Sequence, residues 1–414
     1  MRTIRYSPIG QRFHSWFSLF FLIVPFTFWG QSGCTDMQAN NFDPLAVVND
    51  GSCMYATTIS QPDISIPLNA IVSETSGLFF WENQLWTHND DTDGHFYAID
   101  TLTGEILDTI DWSALSNTDW EEVQCNENFV VIGDIGNNMG NRTDLKFFVI
   151  PYNDFASGDL SLVDTIAFSY EDQTDWTPNL NNNDFDAEAF LLTPDSIFIF
   201  SKCWSSLHTK RYALPLQSGV HVATKREEFD AQGLITGAAW DDGMQRVLLC
   251  GYNNVLMPFA FLLFDYSNGE FFNGNKRKII LGLGLHQVEA VASKGNGEFI
   301  FSSEMYNGPV VVSAALHLGW SIQSWITDTG EMKQALEEIV VYPNPASNVI
   351  TIQMTPSIHG LWRYELFDDT GKRLDKGRFC GSKMSYDVSS LSPGVYTILL
   401  LKGQQYYPYR LVKE

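Results

Sequence analysis

Positive charge is what this chain of 414 residues has least of: 25 Lys and Arg stand against 49 Asp and Glu, for a net charge of −24. Such a surface repels phosphate backbones and anionic headgroups, which argues against nucleic acid or an acidic membrane face as partner. Histidine is sparse, and His88, His95, His208, His221 and His286 fall in no triad spacing. A Gly-x-Ser-x-Gly turn is missing too, so nothing points to a serine nucleophile. No cluster of His and Cys offers a zinc site. The glycine-rich stretch 133–138, GDIGNN, precedes no helical pattern, so a phosphate cradle at a helix N-terminus is ruled out. Arg142, just beyond it, reads either as an anion ligand or as a partner in a local ion pair.

Long apolar runs are also scarce. The one candidate, residues 16–29, follows Arg2, Arg5 and Arg12 and ends in Gly30, Gln31 and Ser32. It is too short to span a bilayer well and has the layout of a signal peptide over 1–30. The expectation is therefore an exported chain without a transmembrane span in its mature form. Of six cysteines, Cys34 and Cys53 bracket a short polar loop and form the expected disulfide. Cys125, Cys203, Cys250 and Cys380 are scattered through apolar strands, where buried free thiols and further bridges both remain open.

What the chain does contain is repetition. The segment 119–138, DWEEVQCNENFVVIGDIGNN, has shorter echoes at 76–90, 186–202, 236–252 and 288–304. Aligning the copies puts Gly77, Glu122, Glu188, Gly237 and Glu289 in one column, at intervals of 45, 66, 49 and 52 residues. A strand-rich period of that size predicts an all-β, five-bladed propeller over 60–326, with six blades as the alternative. The alternating run 64–71 has no neighbour to pair with and is expected to close the last blade. Polar residues 171–183 form a loop, and 327–338 reads as a linker.

In a propeller the first strand of each blade lines the channel, so one column becomes one ring. Glu122, Glu188 and Glu289 would share that ring, with Asp186 and Glu121 nearby and alternation pointing Glu121 away from Glu122. The second strands end in Asp90, Asp134, Lys202 and Glu304. Carboxylates brought together in this way need a compensating cation, and ligands that are all oxygen favour Ca²⁺. The expected metal ligands are Glu122, Glu188, Glu289, Asp134, Asp186, Asp90 and Glu304; Arg142, Lys202 and Gln287 are the expected ligand-binding residues. The stretch 89–100 loosely matches a Ca²⁺ loop, but without flanking helices it reads better as a hairpin.

Two flanking modules have family looks. Residues 33–55, GCTDMQANNFDPLAVVNDGSCMY, resemble short Cys-Asp repeats of secreted Bacteroidetes-type proteins, similar in turn to calcium-binding thrombospondin type 3 repeats. Asp36, Asp43 and Asp50 are then either weak Ca²⁺ ligands or turn formers. The tail 339–414, with its YPNP start, DTGK hairpin and LSPGVY stretch, resembles the type A C-terminal sorting domain of the type IX secretion system. That resemblance implies a small β-sandwich, the type IX secretion machinery as partner, and release or attachment at the outer-membrane surface of a Gram-negative bacterium. The motifs THND, DWEEV, GDIGNNMGNR, DAEAF and QVEAV resemble secreted propellers distantly similar to phytase-like esterase and SdiA-regulated propellers. Three functions stay open: a propeller binding a cation and a small-molecule or glycan ligand, a metal-dependent hydrolase of phosphate esters or lactones, and a glycosidase using a carboxylate pair.

Overall fold

A computed structural model describes residues 31–90, 93–241, 245–267, 269–307, 312–322, 339–354, 360–368, 372–381, 383–402 and 405–414. The expected signal peptide and linker lie outside these residues. Between Thr75 and Ser321 the chain runs through antiparallel four-stranded sheets, each formed by consecutive strands. Blade one is Thr75–Trp81, Gln84–Asn89, His95–Ile99 and Ile106–Asp111; blade two is Trp120–Cys125, Phe129–Asp134, Lys146–Pro151 and Asp164–Tyr170. Blade three is Asp186–Leu192, Ser196–Lys202, His208–Pro215 and Gly219–Asp230; blade four is Leu234–Asp241, Arg246–Tyr252, Pro258–Phe264 and Asn275–Leu281. The last sheet holds Val288–Gly295, Glu298–Ser303 and Leu316–Ser321, and its outer strand is Ile64–Pro67 from the front of the chain.

Each first strand touches the first strand of the next blade, and the last touches Thr75–Trp81, so the ring is closed. Closure by the early strand covers an edge that would otherwise offer open N–H and C=O groups. Two more edges are covered differently. The outer strands of blades two and three pair in parallel, Ile166–Tyr170 against Gly219–Ala223, and Thr58–Ser60 pairs in parallel with the outer strand of blade four.

Local sequence explains the hairpins. Glu82 and Asn83 both have positive φ, 50° and 61°, which makes the two-residue turn whose twist suits a tight hairpin. Alternating apolar side chains then face the neighbouring blades. Phe79, Trp86, Phe96, Trp120 and Phe155 fill the space between blades one and two, while Phe147, Phe190, Ile199 and Tyr212 fill that between two and three. The seam between the last blade and blade one is packed with smaller side chains, Leu78, Leu85, Ala290, Ala292 and Ile300. Apolar packing is therefore thinnest where the ring closes.

The module after residue 31 docks on blade four. Cys34 and Cys53 form the expected disulfide, Tyr55 packs against Phe264, and Arg277 sits over the Tyr55 ring. Asp36 accepts hydrogen bonds from the Tyr55 hydroxyl and Gln38 N, Asp43 from Gln31 Nε2 and Leu45 N, and Asp50 from Ser52 N. These contacts hold turns and pack the module. Cys125, Cys203 and Cys250 are free thiols. The tail forms two sheets of three and four strands with Ile350, Ile352, Trp362, Leu366, Ile398 and Leu411 packed between them. Among the described residues no helix is long and apolar enough to cross a membrane.

Neighbouring blades are also tied by side-chain hydroxyls near the axis. Ser76 Oγ donates to Glu121 O at 2.5 Å, and Thr236 Oγ1 donates to Val288 O at 2.6 Å. Replacing the buried Thr236 by Val leaves the Val288 carbonyl without that donor and should cost about 1–3 kcal/mol. Thr236→Ser should retain most of the stability. Urea unfolding monitored by tryptophan fluorescence would show the difference as a lower midpoint for the Val variant alone.

Candidate functional site

All the first strands share one irregularity, and it decides which side chains reach the channel mouth. In each strand two residues oppose one on the second strand: the register slips at Ser76 and Gly77, at Glu121, at Glu188, at Thr236 and at Glu289. A bulge of this kind inserts one unpaired residue and turns it out of the ladder. The bulged ring is therefore Ser76, Glu121, Glu188, Thr236 and Glu289. The residue after the bulge forms a second ring of Gly77, Glu122, Ala189, Gly237 and Ala290.

The sequence-derived column mixed these two rings. Glu188 and Glu289 belong to the bulged ring, whereas Glu122 belongs to the ring behind it. A period-two pattern contains no signal for an inserted residue, so the alignment of the third and fifth repeats falls one residue out from that of the first, second and fourth. The same slip affects Asp134. The strand-end position occupied by Asp90, Lys202 and Glu304 is held in blade two by Ile135 and in blade four by Tyr252.

Where the second ring sits, backbones approach closely. A Cβ on Gly77 would lie 2.6 Å from Val123 N, and one on Gly237 would lie 2.9 Å from Ala290 Cα. Glu122 alone brings a long side chain into this space. It is fully buried, its Oε1 accepts from Val123 N at 3.0 Å, and the backbone N–H groups of Leu78 and Ala238 point at the same carboxyl. Burial pushes its pKa well above the usual carboxylate range despite those donors. Glu122 is a buried plug in the hub and does not line the mouth.

The mouth is a cleft of about 200 Å³ lined by Asp90, Asp119, Glu121, Glu188, Glu289 and Glu304, with Lys202, Tyr252, Trp204, Gln287, Ser76, Asn138 and Asn181. Lys202 pairs with Glu188 and lies over the rings of Trp204 and Tyr252, at 4.8 and 5.5 Å from their centroids. Burial works against its charge, but Glu188, Tyr252, Glu289 and Asp186 more than offset that and hold it as an ammonium. Gln287 Nε2 donates to the Tyr252 hydroxyl and to Glu289 Oε1, both at 3.3 Å. Gln287, Lys202, Glu188, Glu289, Asp90 and Glu304 thus come together as the sequence analysis placed them.

Three of the expected residues stand behind the mouth. Asp186 accepts from Trp204 Nε1 at 2.8 Å and so orients that ring. Asp134 is paired with Arg142 at 2.8 Å and Lys146 at 2.9 Å. Arg142 spends its guanidinium on Asp134, Asp144 and the Gly136 carbonyl, which is the local ion-pair reading and not the anion-ligand one.

Sequence reasoning missed Asp119, Glu74, Trp204 and Tyr252, and turned Glu121 away from the site. Tyr252 was legible, because the fourth repeat ends on it as others end on Asp90, Lys202 and Glu304. Asp119 and Glu121 depend on Gly136: a Cβ there would lie 2.4 Å from Asp119 Oδ2 and 2.2 Å from Glu121 Oε1. Burial, together with Asp186, raises Asp119 to about 6; burial, with Glu188 and Asp119, pushes Glu121 well up. Between the last blade and blade one, one carboxylate oxygen from each of Glu74, Asp90 and Glu304 lies within 4.8 Å of the other two. Burial and the neighbouring Glu289, Asp90 and Glu74 raise Glu304 to about 9. Oxygen atoms so spaced can surround a hard cation.

Fold and site together define a propeller with an acidic, bulge-built mouth, followed by a sorting tail. Residues 340–414 match the family model of the secretion system C-terminal sorting domain, so this part of the chain is a type IX export signal and the protein is destined for the cell surface or the medium. No curated protein matches the chain. Solved structures resemble it at low similarity. An exo-β-1,3-galactanase of Phanerochaete chrysosporium with galactose has a TM-score of 0.34 and 8% identity, over 89% of this chain and 97% of that one. The WD40 repeats of RRP9 give 0.31 and 10%, over 59% and 66%. A chain of the mitotic checkpoint complex gives 0.29 and 10%, over 60% of this chain and 61% of its own length.

Two outcomes follow from this geometry. A raised carboxyl pKa in the fold means that stability is fully present below the unfolded value of 4.5 and is lost as pH rises toward the folded value. Glu122→Gln, a neutral isostere, should flatten part of that decline while leaving acid-side stability near wild type. Glu122→Ala should cost about 2–4 kcal/mol by emptying the hub and stranding its N–H donors. Denaturant midpoints between pH 4 and 8 would separate the two. Deleting 340–414 should keep the protein inside the cell envelope, and wild-type amounts in the medium or on the cell surface would contradict the export role.

Proposed function

We propose that this protein is an exported binding propeller that holds a divalent cation, Ca²⁺ by preference, at its acidic mouth and presents the remaining mouth to a ligand outside a Gram-negative cell. The observation that carries this reading is the trio Glu74, Asp90 and Glu304. Its members come from the last blade and blade one, so a bound ion would cross-link the seam where apolar packing is thinnest. Six acidic side chains line the cleft and its one basic side chain, Lys202, is already paired with Glu188. Like charges in a half-buried cleft favour a cation and offer an anionic substrate no free clamp. That balance supports binding over hydrolysis of phosphate esters. Glu188, Glu289 and Glu121 would then face the ligand beside the ion, with Gln287, Tyr252 and Trp204 as neutral contacts.

Calorimetric titration of Ca²⁺ into chelator-treated, full-length exported protein tests this directly. Wild type should give saturable heat, Asp90→Asn and Glu304→Gln should lose it, and Glu122→Gln should keep it. Ca²⁺ at a hundred times its dissociation constant should also stabilise the fold by about 2.7 kcal/mol. Absence of heat with wild type, or equal heat in the Glu304→Gln variant, would remove the cation from the mouth.

A further inference from the structure

Exposed apolar side chains stand beside the mouth in pairs at three of the junctions between blades. Met305 and Ile71 meet where Met305 N donates to Ser73 O at 2.8 Å. Leu285 and Val255 belong to loops joined by His286 N donating to Leu256 O at 2.9 Å. Leu180 and Met139 belong to loops joined by Asn179 N donating to Met139 O, also at 2.9 Å. All six are between 39% and 63% exposed. Leu180 is followed by Asn181, which itself lines the acidic cleft, so the collar and the cleft are continuous.

This distribution is one-sided. Among the described residues, the turns joining first to second strands, which surround the opposite end of the channel, expose no large apolar side chain. The far face exposes Leu102, Leu160 and Leu162, all on connections between outer strands. Single exposed apolar residues are ordinary, but three pairs of them beside one charged cleft mark an interaction surface. Because backbone hydrogen bonds hold the loops in place, little ordering remains to be done on binding.

We propose that the mouth face docks a polypeptide segment in which a basic side chain is flanked by apolar ones. The basic group would enter the cleft toward Glu121, Glu188 and Glu289, and the flanking side chains would lie on the collar. Charge complementarity selects this occupant: a cleft with six acidic side chains and one paired lysine attracts a cation, and an apolar rim adds area to a ligand that carries one. The inference rests on the reading of the mouth as a ligand site. Glu121, Glu188 and Glu289 are not members of the trio Glu74, Asp90 and Glu304, so the docked segment does not need the metal.

The test titrates acetyl-Ala-Leu-Arg-Leu-Ala-amide into the full-length protein, with and without Ca²⁺, beside counterparts that replace Arg by Glu or both Leu by Ala. The Arg peptide should bind saturably, and each counterpart should bind at least about tenfold more weakly. A Val255→Ser/Leu285→Ser variant should weaken the Leu-Arg-Leu peptide by about tenfold without changing thermal unfolding. A Met305→Ser/Ile71→Ser variant should do the same on the other side of the collar. Glu74→Gln, at a residue outside the cleft lining, separates the two readings, since loss of Ca²⁺ heat with peptide binding retained upholds the docking surface by itself. Equal binding of the Arg and Glu peptides, no binding of any peptide, or collar variants that bind as wild type would overturn the proposal. Binding to phosphatidylcholine vesicles in place of the peptide would overturn it too, by assigning the collar to a lipid surface.

Discussion

Five strands cannot converge on one axis unless their side chains at the point of closest approach are almost absent, and this steric limit shapes the rest of the propeller. Gly77, Ala189, Gly237 and Ala290 meet it by having little or no side chain. Glu122 then fills the space that its neighbours leave, as a buried carboxyl gathered by backbone N–H groups from several blades. The bulge immediately before this ring has a second consequence. It lifts Glu121, Glu188 and Glu289 out of the ladder and toward the mouth, while Ser76 and Thr236 at the same level turn their hydroxyls into bonds between blades. One irregularity thus supplies both the closure of the hub and the charge of the site.

Charge gathered in this way is costly, and the surroundings show how it is tolerated. Lys202 offsets Glu188 and is held between two aromatic rings; Asp186 and Asp134, which carry no solvent-facing role, are taken up by Trp204, Arg142 and Lys146. Asp119 and Glu304 respond by raised pKa values, about 6 and about 9. A site with such carboxyls responds to pH and to the ionic strength around it. Export through the type IX route would expose it to both.

Edges receive the same care as the centre. An early strand closes the last sheet, another extends blade four, and blades two and three share a parallel pair, so that few strand edges stay open in a protein that must cross an envelope. The disulfide-linked module packs over blade four through Tyr55 and Arg277, which makes it part of the propeller's outer wall.

Much of this was legible from residues alone. Repeat spacing and alternation indicate an all-β propeller and the closing strand near Ile64, because period-two patterning and turn residues act locally; cysteine placement indicates the Cys34 and Cys53 disulfide, and the motifs of the tail carry its resemblance to a sorting domain. Identical strand ends also bring Asp90, Lys202, Glu304, Glu188 and Glu289 to one mouth. Tertiary structure decided what alternation is unable to encode: a bulge adds one residue without altering composition, and so exchanged Glu122 for Glu121 and moved Asp134 behind the site. It also decided which aspartates around Asp36 cap turns, where Arg142 spends its charge, and that Glu74 joins Asp90 and Glu304. Those outcomes depend on distances between blades far apart in sequence, and only closure of the ring sets such distances.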